Sequence, residues 1–213
     1  MSKKRLDERK QTHAVMRNQI LSGVWEPGQH TTECKIAEHI QKPRGAVREA
    51  LAVLEATGAV RQVPNPRGVE VRQITRTEAL GSIALRYRLE VSSAQYEDPI
   101  DTTKKSPREL YAATVDLAEA YRAGEQAEFM LADTRFHVEL MRLRGYSASV
   151  TALQGFRDKI QMYRVHNELP LTELQMTTVV DEHHTILSAL EGGEPLIGPL
   201  HQHLASTRAR IES

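Results

Sequence analysis

The chain has 213 residues, 40% apolar and 26% charged, which is a globular rather than a disordered composition. No stretch approaches the roughly 20 apolar residues of a membrane helix. The charged start MSKKRLDERKQ predicts no secretory leader, and the single cysteine, Cys34, excludes an internal disulfide framework, so a cytoplasmic protein without a membrane partner is expected.

The zero net charge hides an asymmetry: residues 1–77 carry 14 Lys/Arg against 8 Asp/Glu, whereas residues 78–213 carry 14 against 20. Such a division suggests that the N-terminal part faces a polyanion, although a solvated basic face gives the same count. In chain order, residues 4–22 have a helical pattern with Met16 and Ile20 on the apolar stripe and Gly23 placed to close it. Trp25, Glu26, Pro27 and Gly28 form a turn signal. A short helix over about 32–41 buries Ile36, Ala37 and Ile40, and another from about Pro43 to Ala56 buries Val47, Leu51 and Leu54. The period then changes: Val60 to Val63 and Val69 to Arg72 alternate as strands, separated by a five-residue loop from Pro64 to Gly68. Helix, helix, turn, helix and hairpin describe a winged helix-turn-helix, expected over residues 1–76.

From Glu78 onward the pattern is helical throughout, over about 78–95, 107–123, 125–144, 147–167, 171–191 and 199–212. Residues 96–106, polar and Pro-containing, are expected to be a loop. The fold class is therefore mainly α, with a C-terminal antiparallel helical bundle over 77–213. The last helix is expected to start at Pro199, because an interior proline breaks a helix.

In a helix-turn-helix the N-terminal residues of the second helix face base edges in the major groove. Arg44 and Arg48, four apart, share one face of that helix, and an arginine fork can bond guanine O6 and N7 together. Lys42 is placed for a phosphate, and Arg67 with Gly68 is expected at the wing tip, where a bare backbone could approach the duplex. Two arginines at this spacing also occur as an ordinary solvated face; the basic hairpin and flanking helices favour the DNA-facing alternative.

These residues resemble the GntR family of DNA-binding regulators. Leu21, Gly23, Pro27, Gly28, Ile36 to Glu38, Arg44, Val47 to Leu51, Leu54, Glu55, Gly58 and Gly68 fall in register with its pattern. The resemblance implies operator DNA as partner, a homodimer, and Arg44 and Arg48 as DNA contacts. Two departures concern operator choice: Cys34 stands where many members have a DNA-touching arginine, and Pro43, Arg44, Gly45 and Ala46 replace the usual Ser-Arg-Thr-Pro. Gly45 joins the expected DNA-binding set for that reason.

In the C-terminal part, Asp133 and His137 are at i, i+4 and can reach one cation. Helical phase turns His183 inward with Val179 and Ile186, and His203 inward with Leu200, leaving His184 and His201 outside. Imidazole with carboxylate suits Zn²⁺, Ni²⁺ or Mn²⁺. Spacing alone is equally compatible with surface hydrogen bonds. Arg86, Leu89 and Glu90, then Phe136 and His137, then Glu182 and His183 with Ile186 and Leu187, and finally His203 and Leu204 resemble the FCD effector domain. The resemblance implies a divalent metal held by Asp133, His137, His183 and His203, no organic cofactor, and a small organic acid effector with Arg86 as candidate for its anionic group. One departure is Tyr146 after Gly145, where the family usually has Asn. The expected function is a DNA-binding transcriptional regulator of the repressor type, whose operator affinity a small carboxylate modulates. The alternatives are a regulator with a purely structural metal site and a metal-dependent hydrolase; no HExxH-type motif supplies a general base for the latter.

Overall fold

Nine α-helices and a small antiparallel sheet make up residues 3–64, 67–95 and 107–212, the part that the computed structural model describes. The contacts sort the chain into two units, one of residues 1–76 with 161–169 and the other of 77–160 with 170–213. The expected loop over 96–106 and the wing tip, Asn65 and Pro66, lie outside the described residues, as does the side chain of Arg67.

In the first unit, α1 (Lys3–Leu21) ends at Gly23, whose φ of 79° suits a residue without Cβ. After the Pro27 turn, β1 (His30–Thr31) leads directly into α2 (Glu33–His39). Thr32 caps α2, its hydroxyl accepting from the Lys35 N–H, so one of the helix's orphan donors is satisfied. Helix α3 (Arg44–Ala56) follows Pro43 and buries Ala46, Val47, Ala50, Leu51 and Leu54, which leaves Arg44 and Arg48 exposed on the other face.

Strands β2 (Val60–Pro64) and β3 (Arg67–Val71) pair out to Pro64 and Arg67, so the connection is two residues rather than the expected five. Gly68 consequently sits inside the ladder, opposite Val63, and not at the loop tip. The third strand, β1, was beyond a periodicity reading because two residues cannot show a period; it joins β3 at the sheet edge, giving the order β1-β3-β2. That pairing explains Gly68: an added Cβ would lie 2.6 Å from His30 Nε2 and closer still to the Thr31 carbonyl oxygen.

The second unit begins with α4 (Arg76–Gln95) and continues through α5 (Arg108–Ala123) and α6 (Gln126–Leu143). Gly124, at φ 70°, closes α5 in the left-handed conformation and reverses the chain within two residues. A 3-10 turn at Ser147–Ser149 precedes α7 (Val150–His166). Helix α8 (Glu173–Gly192) starts on a capping box in which Thr172 and Gln175 exchange side-chain-to-backbone hydrogen bonds. Phe136, Leu140, Ile186, Leu190 and Leu200 pack into one buried cluster, and Leu117, Phe129, Met176 and Val179 into a second.

Helix α9 (Ile197–Glu212) starts two residues before the expected position. Pro199 is its third residue, and the N–H groups of a helix's first turn have no intrahelical partner, so the missing donor costs nothing there. The first helical bond is made one residue on, from the Leu200 N–H to the Leu196 carbonyl at 3.0 Å.

Gly68→Ala should destabilise the winged unit by about 1–3 kcal/mol, since β1 must move away from β3 to admit the methyl group. Urea denaturation followed by the fluorescence of the single tryptophan, Trp25, checks this; an unchanged midpoint would contradict it.

Candidate functional site

Two groups of polar residues stand out, one exposed on the winged unit and one buried in the helical unit. On the winged unit, Arg44 and Arg48 from α3 line a recess of about 730 Å³ with Gly68 and Val69 from β3. Thr32, Glu33, Cys34 and Gln62 complete its wall. The recess thus joins three of the expected DNA contacts, Arg44, Arg48 and Gly68. Gly45 is exposed beside it, with nothing within 4 Å of where a Cβ would stand. Lys42 is half-buried just before α3 and is not part of the lining. Glu33 and Gln62 were not expected. Glu33 pairs with Arg48 across 15 residues and two helices, a relation with no periodic signal.

In the helical unit, the i, i+4 spacing puts Asp133 and His137 on the inner face of α6, while α8 supplies His183 and α9 supplies His203. One ligand atom from each of these four buried residues lies within 4.8 Å of the other three. The two-residue shift in the start of α9 leaves His203 inside, at 1% exposure. His184 and His201 are exposed, as helical phase predicts.

The surroundings of the imidazoles fix their chemistry. His137 Nδ1 lies 2.5 Å from Glu90 Oε2, and His203 Nδ1 lies 2.8 Å from Glu182 Oε2. A carboxylate accepts, so each Nδ1 carries the proton and each Nε2 keeps its lone pair; this tautomer follows from the neighbours. The two Nε2 atoms nevertheless face each other at 3.0 Å. Two lone pairs at that distance repel unless positive charge lies between or beside them. Arg86 supplies some of it: its Nη2 is 3.0 Å from His137 Nε2 and 3.4 Å from His203 Nε2, and its Nε donates to Glu90 Oε1 at 2.6 Å.

Asp133 is held by Arg157, which also donates from Nε to the Thr134 hydroxyl at 3.1 Å. The other Asp133 oxygen, Oδ1, lies 3.1 Å from His183 Nε2 but outside hydrogen-bond geometry, so both buried atoms are left without a hydrogen bond. The His183 ring is stacked on Phe136, with centroids 3.9 Å apart, and its position is set by that packing. Orphaned buried acceptors cost about 1–3 kcal/mol each. A divalent cation bonded at about 2.0–2.2 Å would take up Asp133 Oδ1 and the three Nε2 lone pairs together. Carboxylates behind two of the imidazoles are the usual support of metal-bound histidine. The residues therefore fit a divalent metal. Glu90 and Glu182, the supports, were noted in the sequence only as marks of a resemblance.

Burial pushes the His183 imidazole down to about 4, and burial with His137 and His183 nearby holds His203 well below its ordinary value. Burial alone would raise Glu90, but His137 and Arg86 outweigh it and leave it at about 2. Asp133 is likewise held low, Arg157 overcoming the effect of burial. For His183 an unfolded chain binds its proton near pH 6.5 and the folded one near 4, so folding stability falls as pH drops through that window. The carboxylates add a further loss below pH 4, where the unfolded chain protonates and the folded one does not. Urea denaturation of chelator-treated protein at pH 7.5 and pH 4.5 should differ by about 2.5 kcal/mol from His183 alone; equal stabilities would contradict the buried neutral histidine.

Among the described residues no helix is long and apolar enough to cross a membrane. The FCD domain family matches residues 82–196, more than half of the chain and inclusive of Arg86, Asp133, His137 and His183. An HTH-type transcriptional regulator from Agrobacterium vitis, encoded in the TAR-I ttuE–ttuC′ intergenic region, is 30% identical over 133 residues, 61% of this chain and 75% of the relative. Two solved structures share the fold. A protein from Rhodococcus sp. RHA1 assigned as a GntR transcriptional regulator has a TM-score of 0.74 at 22% identity, covering 97% of this chain and 98% of its own. McbR/YncC of E. coli has a TM-score of 0.73 at 16% identity, covering 95% and 93%. With the winged helix-turn-helix at one end and the FCD match at the other, the chain belongs to the GntR family of transcriptional regulators, in its FCD subfamily.

Proposed function

We propose that this regulator is a repressor that binds operator DNA through residues 1–76 and senses a small organic acid at a divalent metal held in residues 77–213. The observation that carries the proposal is the convergence of Asp133, His137, His183 and His203 on one buried point, with Glu90 and Glu182 behind two of the imidazoles. A cluster of one carboxylate and three imidazoles suits Zn²⁺, Ni²⁺ or Mn²⁺. Such an ion would present open coordination positions to a carboxylate oxygen. Arg86, whose Nη2 faces the same Nε2 atoms, is the side chain that would receive the acid's remaining charge.

On the DNA side, Arg44 and Arg48 would reach base edges in the major groove, and Lys42 and Arg67 would meet phosphates. Gly45 would let the backbone approach, because a residue there has open space around it and no packing reason to be glycine. A homodimer would set two recognition helices against half-sites about one helical turn apart. An acid that prefers the arrangement fitting DNA poorly weakens operator binding by that difference, typically about 1–3 kcal/mol.

A second reading, a metal that only staples the helices, is favoured by the near-complete burial of His137, His183 and His203. Gel-shift titrations against the DNA upstream of the chain's own gene, with and without a panel of small carboxylates, separate the two; no response to any acid selects the staple. Arg48→Ala should cost about 1–3 kcal/mol at the operator, and an unchanged affinity would remove it from the contacts. Metal analysis should find one divalent ion per chain, with Glu90→Gln weakening its binding about 10–100-fold. A variant with unaltered affinity would refute Glu90 as a support.

A further inference from the structure

We propose that Glu33 determines specificity in the DNA-facing recess by clamping Arg48 in a single orientation. The proposal rests on the reading of Arg48 as a base contact. Glu33 is the first residue of α2, and its carboxylate engages the guanidinium of Arg48 on α3 through one edge only. Arg48 Nε lies 3.3 Å and 3.2 Å from the two carboxylate oxygens, and Nη2 lies 3.1 Å from Oε2. A guanidinium has five N–H groups in a rigid fork, so the clamped edge leaves the Nη1/Nη2 edge for guanine O6 and N7.

Stability does not explain the pair. Arg48 is 67% exposed and Glu33 31%, and an ion pair of that kind contributes little to folding. Affinity for DNA as a polyanion does not explain it either, since a carboxylate in a recess facing phosphates repels them. What the clamp supplies is order. A long arginine side chain otherwise samples many rotamers and can satisfy itself on any phosphate. Held by Glu33, Arg48 meets bases with its orientation already set, and phosphate contacts elsewhere become less accessible to it. With Cys34 lining the same wall, Arg44 and Arg48 are the guanidinium groups of the recess among the described residues, so fixing one of them decides much of what it can read.

Fluorescence anisotropy on the full chain, with an operator duplex and a random duplex at two salt concentrations, tests this. Glu33→Ala should bind random DNA several-fold tighter, having lost a negative charge, while the operator-to-random ratio falls about tenfold. Glu33→Gln keeps a carbonyl acceptor for the fork, so it should share the tighter random binding but retain more of the ratio than the alanine variant. In an Arg48→Ala background, Glu33→Ala should leave the ratio unchanged. Thermal midpoints of all variants establish that they fold. Equal tightening on both duplexes would reduce Glu33 to plain charge repulsion, and equal weakening would reduce it to support of α2; either overturns the clamp. If Arg48→Ala alone leaves the ratio intact, the base-contact reading fails instead.

Discussion

Glu90 and Glu182 each accept a hydrogen bond from the Nδ1 of a buried histidine, and the polar interior of the helical unit follows from those two contacts. Once Nδ1 is committed to a carboxylate, Nε2 must turn its lone pair toward the centre. Two such rings, His137 and His203, stand beside His183 and Asp133 Oδ1, which are buried and have no hydrogen-bond partner within the unit. Burying groups of this kind costs several kcal/mol unless opposite charge is close. Arg86 and Arg157 supply part of that charge from α4 and α7. The pull on Arg157 is strong enough in both directions to be visible: burial and the nearby Arg86 bring its guanidinium down to about 10 in spite of Asp133. The centre thus gathers buried polar groups that a divalent cation would satisfy, and it joins side chains of α6, α8 and α9.

The recess on the winged unit uses charge under opposite conditions. Its arginines are exposed, water screens them, and no single pair there holds the fold. Position matters instead. The apolar positions of α3 fix which way that helix turns, and Arg44 and Arg48 emerge on its free face because Val47, Leu51 and Leu54 occupy the other. The edge strand β1 closes the sheet against Gly68, which brings Thr32 and Glu33 to the same wall. A glycine expected to make room for DNA is required first by the protein's own backbone.

Much of this was legible in one dimension because it is periodic. An amphipathic helix announces its buried side every three or four residues, so α3, α6 and α8 gave up their inward positions, including Asp133, His137 and His183, from spacing alone. The alternation of β2 and β3 was equally visible. The start of α9 was misplaced because proline was treated as a helix breaker without regard to position, and the first turn is where it is tolerated. The wing loop came out three residues too long for a related reason: Pro64 and Gly68 read as turn residues, yet both lie in paired strands.

What the sequence determined by itself was therefore the order and type of the elements, the helical phase of His183 and His203, the shared face of Asp133 and His137, and that of Arg44 and Arg48, since each of these depends on residues near one another in the chain. Partnership was decided only by the tertiary structure. Glu90 behind His137, Glu182 behind His203, Arg157 on Asp133 and Glu33 on Arg48 join residues 15 to 47 positions apart. No period links such pairs; only the packing of one helix against another brings a carboxylate within hydrogen-bond reach of the ring or fork that it orients.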